Sequence, residues 1–190
     1  MAALAQRADA ALSAELEDGA LVSAVLRGDS EAFATLVRRY ERPVYHLAFR
    51  TLRDAEEARD VAQEAFFKAY RSLRTFRIGA KFSTWMYSIA YHACCDRLSR
   101  RKRFSGEELP ESADPSPGPE PTVIALDEAQ RLRDAIELLP EKYRVAITLY
   151  HLQGRQYEEI AAVLGLPLGT VKTHLFRAKE HLRRLLERSP

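Results

Sequence analysis

Apolar residues recur along this chain three and four apart, the spacing of one helical face, and no stretch alternates with the period of two of a half-buried strand. After Asp29, a residue type suited to an N-cap, Phe33, Leu36, Val37 and Tyr40 share a face. Pro43 then fits the first turn of a following helix. Asp54 with Glu57 has the form of a capping box, and the helix it starts turns Ala58, Val61, Ala62, Ala65, Phe66, Ala69 and Leu73 to one side. Ser83 is placed to cap another helix, whose stripe is Phe82, Trp85, Met86, Ile89, Ala90 and Ala93. Further on, Ala125, Ala129, Leu132, Ile136 and Leu139 form a stripe that Pro140 ends. Tyr143, Ala146, Ile147 and Tyr150 form the next, closed by Gly154. Tyr157, Ile160, Ala161 and Leu164 define a short helix stopped by Gly165, and Val171, Leu175, Ala178, Leu182 and Leu185 run down a longer one. The pattern predicts an all-α protein.

The last two helices have the form of a helix-turn-helix. Ala161, predicted buried, is small enough for a second helix to cross closely, and Leu166-Pro167-Leu168-Gly169 is a compact connection. Opposite the apolar stripe of the second helix lie Gly169, Lys172, Thr173, Phe176, Arg177 and Glu180, at 100° per residue. Arg and Lys donate to guanine edges or phosphates, and Thr can do either. An outward Phe176 suits contact with a thymine methyl or a sugar. His174, Lys179, His181, Arg183 and Arg184 widen the basic rim. An αα-hairpin with a charged outer face would show the same pattern, so spacing alone leaves both open.

Charge divides the chain further. The net charge is only +2, yet residues 20–103 carry 17 Lys and Arg against 9 Asp and Glu, as expected of a surface that meets a polyanion. Residues 104–122 carry 5 acidic and no basic side chains, with prolines at 110, 115, 117, 119 and 121. These forbid a continuous helix, so the stretch reads as a flexible acidic linker between two small helical domains, residues 20–103 and 123–190. Residues 1–19 read as a short, frayed acidic arm and not as a leader, because no basic start precedes an apolar run. No segment approaches the roughly 20 apolar residues of a bilayer span. The two cysteines, Cys94 and Cys95, are adjacent, which excludes a disulfide framework and fits a reducing cytoplasm. With His92 they would crowd a tetrahedral ion, so no metal and no cofactor is expected.

The segment LPEKYRVAITLYHLQGRQYEEIAAVLGLPLGTVKTHLFRAKEHLRRLL resembles, along its whole length, the C-terminal promoter-binding domain of extracytoplasmic-function (ECF) RNA polymerase sigma factors. Glu159-Ile160-Ala161, followed by Gly169-Thr170-Val171-Lys172 and Arg177-Ala178, carries the resemblance. It implies that this domain reads the −35 promoter element in the major groove, with Thr170, Lys172, Thr173, His174, Phe176, Arg177 and Lys179 as contacts. Gln156 and Leu166 stand where the family often has small hydroxyl caps, and His174 where Arg is frequent.

DAEEARDVAQEAFFKAYRSLRTFRIGAKFSTWMYSIAYHACCDRLSRR is similar to the other half of the same family, which binds the polymerase clamp and captures the −10 element. On the helix from Asp54, Asp60, Gln63, Glu64, Phe67 and Arg71 fall on one outward face. An aromatic among polar groups suits a protein interface, and the resemblance assigns this face to the largest polymerase subunit. Arg77, Lys81, Phe82, Trp85, Tyr87, Tyr91, Arg100 and Arg101 interleave cations with aromatics, as unpaired DNA requires. Phe82 and Trp85 also lie on the apolar stripe, and core packing is the simpler role for Trp85. His92 stands where the family often has Asn, beside the loop that pockets a flipped −10 base.

The expected function is that of a sigma factor, which directs core RNA polymerase to promoters. The resemblance also implies an anti-sigma partner. Strand separation would then use binding energy and no ATP site. GxxxxGK[ST], HExxH and GxSxG motifs are absent, so an enzyme is not expected. A stand-alone helix-turn-helix regulator that binds operators would explain the C-terminal half alone.

Overall fold

The computed structural model describes residues 17–105 and 128–187. Among them every regular element is helical, as the periodicity predicts. The described part of α1 is residues 17–26. It is followed by α2 (Ser30–Leu52), α3 (Ala55–Ser72), a 3₁₀ turn (Leu73–Thr75) and α4 (Phe82–Ser105). Then come α5 (Glu128–Glu137), α6 (Glu141–Ile147), a π turn (Thr148–Leu152), α7 (Tyr157–Leu164) and α8 (Leu168–Glu187). The chain divides into two compact units: residues up to 49 with 54–94, and residues 50–53 with those from 95 onward. Of the expected linker, Phe104 and Ser105 close α4 instead, and residues 106–122 lie outside the described residues, as do Ala125 and residues 1–16.

In the first unit α2 is a single helix of 23 residues with Pro43 inside it, where the sequence predicts a new start. An interior proline removes one helical hydrogen bond and costs about 3 kcal/mol. Burial on both sides of it outweighs that: Leu36 and Tyr40 before, Val44, Leu47 and Ala48 after, all 8% exposed or less. Asp29 does cap α2, its Oδ1 accepting from the amides of Glu31 (3.0 Å) and Ala32 (3.3 Å). Asp54 caps α3 in the same way, accepting from Glu56 and Glu57. The expected frayed arm is not loose at its end. Asp18 is 1% exposed and bonds Tyr40 and Arg39, tying α1 to α2.

The core of this unit is aromatic. Tyr40 of α2 packs on Phe82 (5.4 Å between ring centres) and Tyr87 (6.2 Å) of α4, and Phe76 packs on Phe82 at 5.7 Å. The stripe of α4 is therefore wider than predicted. Phe82, Met86, Ala90 and Ala93 are buried as expected, Tyr87 and Cys94 are buried as well, and Trp85 and Ile89 only half so. Ser83, expected as a cap, lies buried within the first turn.

In the second unit α5, α6 and α7 pack on α8. Helix α5 buries Ala135 and Ile136, and Leu139 just beyond its end is buried too, while Leu132 of the predicted stripe stays 41% exposed. Ala135 joins the buried side where α5 meets both α6 and α8, a widening that periodicity alone does not resolve. Every residue of α6 from Tyr143 to Ile147 is buried. The next turn widens at Thr148, whose hydroxyl donates to the Arg144 carbonyl at 2.8 Å, a back-bond of the kind that bends helices. Gly154, at φ 63°, ends it as predicted.

Candidate nucleic-acid interface

Three surfaces carry the residues that the sequence singles out. The helix-turn-helix of the second unit is built as follows. Glu159 reaches back to accept from the Gln156 amide at 2.9 Å, so the start of α7 is held without a hydroxyl cap. Gly165 (φ 65°, ψ 31°) ends α7 in the left-handed region, donating to the Ala161 carbonyl, which also accepts from Leu166 at 3.1 Å. The Pro167 carbonyl then accepts from Thr170 (2.9 Å) and Val171 (3.2 Å) and starts α8. Ala161 is half-buried; Ile160, Val163 and Leu164 form the buried side of α7.

Helix α8 buries Val171, Leu175, Ala178 and Leu182, the predicted face. Its opposite side exposes Gly169, Lys172, Thr173, Phe176 and Arg177, with Phe176 67% exposed. Thr173 donates its hydroxyl to the Gly169 carbonyl at 2.9 Å, so its proton is used within the helix and its oxygen can still accept. Thr170 is half-buried in the first turn.

Two predicted contacts sit differently. His174 is half-buried against the edge of Tyr143 (5.6 Å), and its Nδ1 is buried with no hydrogen-bond partner among the described residues. Burial lowers its pKa, and the cations of Lys142 and Arg177 lower it further, so the charged form of the ring is disfavoured. The Lys179 ammonium lies 5.2 Å from the ring centre of Tyr150, a cation–π contact at the side of the helix. Sequence reasoning misses Tyr143, which is 4% exposed on α6 yet lines a hollow of about 420 Å³ with Phe176, Arg177, Glu180, His181 and Arg184. No spacing rule reveals a core tyrosine whose hydroxyl reaches a surface.

The second surface is the outward side of α3. Asp60, Gln63, Phe67 and Arg71 are exposed there, and Glu64 is half-buried, paired with Lys68 at 3.1 Å. Phe67 is 71% exposed. Tyr70, 49% exposed, meets Phe33 of α2 edge-on at 4.9 Å and extends the aromatic character.

The third surface lies between α3 and α4. A groove of about 550 Å³ is lined by Lys68, Arg71, Ser72, Trp85, Ser88, Ile89 and His92. One part of Trp85 packs on Phe76 (5.3 Å) and Phe82 (5.7 Å), while the rest lines the groove. The structure thus joins Arg71, expected on the polymerase face, to Trp85 and His92, expected on the DNA face. His92 Nδ1 lies 2.6 Å from the Ser88 carbonyl, which can only accept, so Nδ1 is the donor of that bond and Nε2 is left for another partner. Phe82 (1% exposed) and Tyr87 (2%) are core residues and offer no ring face to a base, a correction to their expected role. Arg77, Arg100 and Arg101 are exposed, and Lys81 and Tyr91 half-buried. In the connection before α4, Ile78 is 66% exposed beside Arg77, an apolar tip that the sequence reading passes over.

Among the described residues no cluster of three or more His, Cys, Asp or Glu is arranged to hold a metal, and no helix is long and apolar enough to cross a membrane. Cys94 is buried and Cys95 half-buried.

Comparison with known proteins gives the family of the chain. Residues 36–104 match the family described as Sigma-70 region 2, and residues 129–182 match Sigma-70, region 4. The chain is 37% identical over 185 residues to the RNA polymerase sigma-H factor of Pseudomonas aeruginosa, covering 90% of this chain and 94% of that one. It is 39% identical over 180 residues to the ECF RNA polymerase sigma-E factor of Escherichia coli K12, covering 89% and 94%. In fold it is similar to the sigma factor RpoE of Bartonella quintana, solved with the anti-sigma factor NepR, with a TM-score of 0.66, 23% identity, and coverage of 83% of this chain and 98% of that one. With both helical regions present and such relatives matched over almost their full length, the chain belongs to the ECF RNA polymerase sigma factors, the family of promoter-recognising transcription initiation factors.

Proposed function

We propose the following division of labour among the three surfaces. The exposed face of α8 enters the major groove of duplex DNA at the −35 element. Lys172 and Arg177 donate to base edges and phosphates, and Phe176 makes an apolar contact. The division of α8 into a buried stripe and a cationic face centred on an exposed Phe176 is the observation that carries this reading. The groove between α3 and α4 receives the unpaired −10 strand. Trp85 supplies a stacking surface, Lys68 and Arg71 supply charge for phosphates, and His92, held through Nδ1 by the Ser88 carbonyl, presents Nε2 to a base edge. Arg77, Lys81, Tyr91, Arg100 and Arg101 flank that path, while Phe82 and Tyr87 support it from the core.

The outward side of α3, with Asp60, Gln63, Glu64 and Phe67, docks on the clamp of the largest polymerase subunit. Residues 20–103 and 123–190 act as the two functional domains, and residues 104–122 span between them. The energy for strand separation comes from binding, so the protein acts without catalysis or cofactor. It works in the cytoplasm and is restrained by an anti-sigma factor, as the fold relative solved with NepR supports.

Transcription in vitro tests this reading. The full chain is added to sigma-free bacterial core polymerase on a fragmented genomic library, and start sites are sequenced. Discrete starts that share two upstream elements are expected. Lys172→Ala should abolish preference at the upstream element alone, and Trp85→Ala should impair strand opening alone. Loss of opening with intact upstream preference in Lys172→Ala would overturn the assignment of α8.

A further inference from the structure

The DNA-facing side of α8 is braced from beneath by a residue that is not on α8. Tyr143 belongs to α6 and is 4% exposed. Its ring lies 5.6 Å from that of His174 and 5.6 Å from that of His181, side chains about two helical turns apart on α8. Packed in this way, the ring cannot swing, and its hydroxyl is a fixed point at the wall of the hollow that Phe176, Arg177 and Arg184 also line. Arg177 Nη1 donates to that hydroxyl at 3.2 Å. A guanidinium has donors only, so the tyrosine oxygen is the acceptor.

We propose that Tyr143 is a positioning residue for DNA reading: it presets the Arg177 guanidinium in its binding conformation before the duplex arrives. An exposed arginine otherwise samples many rotamers, and ordering it on binding costs entropy. A fixed acceptor for one terminal nitrogen removes part of that cost in advance and leaves the other donors for DNA, which raises affinity without a new contact to DNA. This rests on the reading that α8 docks on DNA through Arg177.

Tyr143→Phe keeps the buried ring and its packing on His174 and His181 and removes only the oxygen. The test uses holoenzyme made from core polymerase and the full chain, bound to a duplex fragment carrying the upstream element recovered by start-site mapping. Four versions are compared by anisotropy: unmodified, Tyr143→Phe, Arg177→Ala and the double variant. Arg177→Ala is expected to weaken binding roughly tenfold or more. Tyr143→Phe is expected to weaken it about fivefold, the net worth of one hydrogen bond, but to add almost nothing in the Arg177→Ala background. The salt dependence of Tyr143→Phe should match the unmodified protein, since no cation is lost.

An equal loss in both backgrounds would mean that the hydroxyl acts on the fold or on DNA independently of Arg177, and would overturn the proposal. No loss in either background would do the same. If Arg177→Ala itself binds as the unmodified protein does, the DNA assignment of this side of α8 falls, and the positioning role with it.

Discussion

Replacing Phe67 by Ala separates folding from docking, because Phe67 contributes little to its own unit. It is 71% exposed, so about three-tenths of its surface is covered. Full burial of such a side chain is worth ~1.5–3 kcal/mol, and its truncation therefore costs the fold only about 0.4–0.9 kcal/mol. An aromatic anchor at the centre of a protein interface loses ~2 kcal/mol or more on truncation, about a thirtyfold weakening. The two magnitudes differ enough to be told apart. The assay is equilibrium binding of labelled protein to core polymerase, with thermal unfolding of each variant alongside. Phe176→Ala is the control: that residue is equally bare at 67% exposed but lies on the DNA face of α8. Phe67→Ala should weaken polymerase binding at least tenfold with a nearly unchanged melting temperature, and Phe176→Ala should leave polymerase binding intact. Phe67→Ala with unaltered polymerase affinity would refute the placement of the docking face on α3.

Two further outcomes follow from the helix-turn-helix. Gly165→Ala should cost about 1 kcal/mol in urea unfolding, because the glycine sits at φ 65° with nothing within 4 Å of the added carbon, so the penalty is backbone strain alone. A loss beyond ~3 kcal/mol would point to a steric role that the structure does not contain. His174 holds a pKa lowered by burial, then by Lys142 and Arg177, so its native state binds a proton less readily than the unfolded chain does. Its stabilising share is therefore complete above the ordinary histidine value near ~6.5 and declines as pH falls through it. His174→Asn should flatten that decline in denaturation between neutral and mildly acid pH, with a remainder from His151, whose pKa burial and Lys179 also lower. An unchanged slope would show that His174 is not held neutral in the fold.

Much of this molecule is legible in its sequence because helices declare themselves locally. The caps at Asp29 and Asp54, the stop at Gly165 and the stripe Val171, Leu175, Ala178 and Leu182 follow from spacing and residue type, since each depends on neighbours within one or two turns. The exposed faces of α3 and α8 follow from the same rule: what is not on the stripe faces water. The sequence also carries the family, through motifs that need no coordinates. What it does not settle is how much of a helix its neighbours cover. Pro43 reads as a boundary because its local cost is visible and the burial on either side that outweighs it is not. Phe82 and Tyr87 read as partners of DNA because aromatics among cations suit that role, and only the packing of Tyr40 against both rings makes them core. The groove that joins Arg71 to Trp85 and His92, and the hydroxyl of Tyr143 beneath Arg177, arise where separate helices meet. Periodicity determined each helix and its inward side; contacts between residues distant in the chain, whose energies no local pattern encodes, decided which polar and aromatic groups share a site.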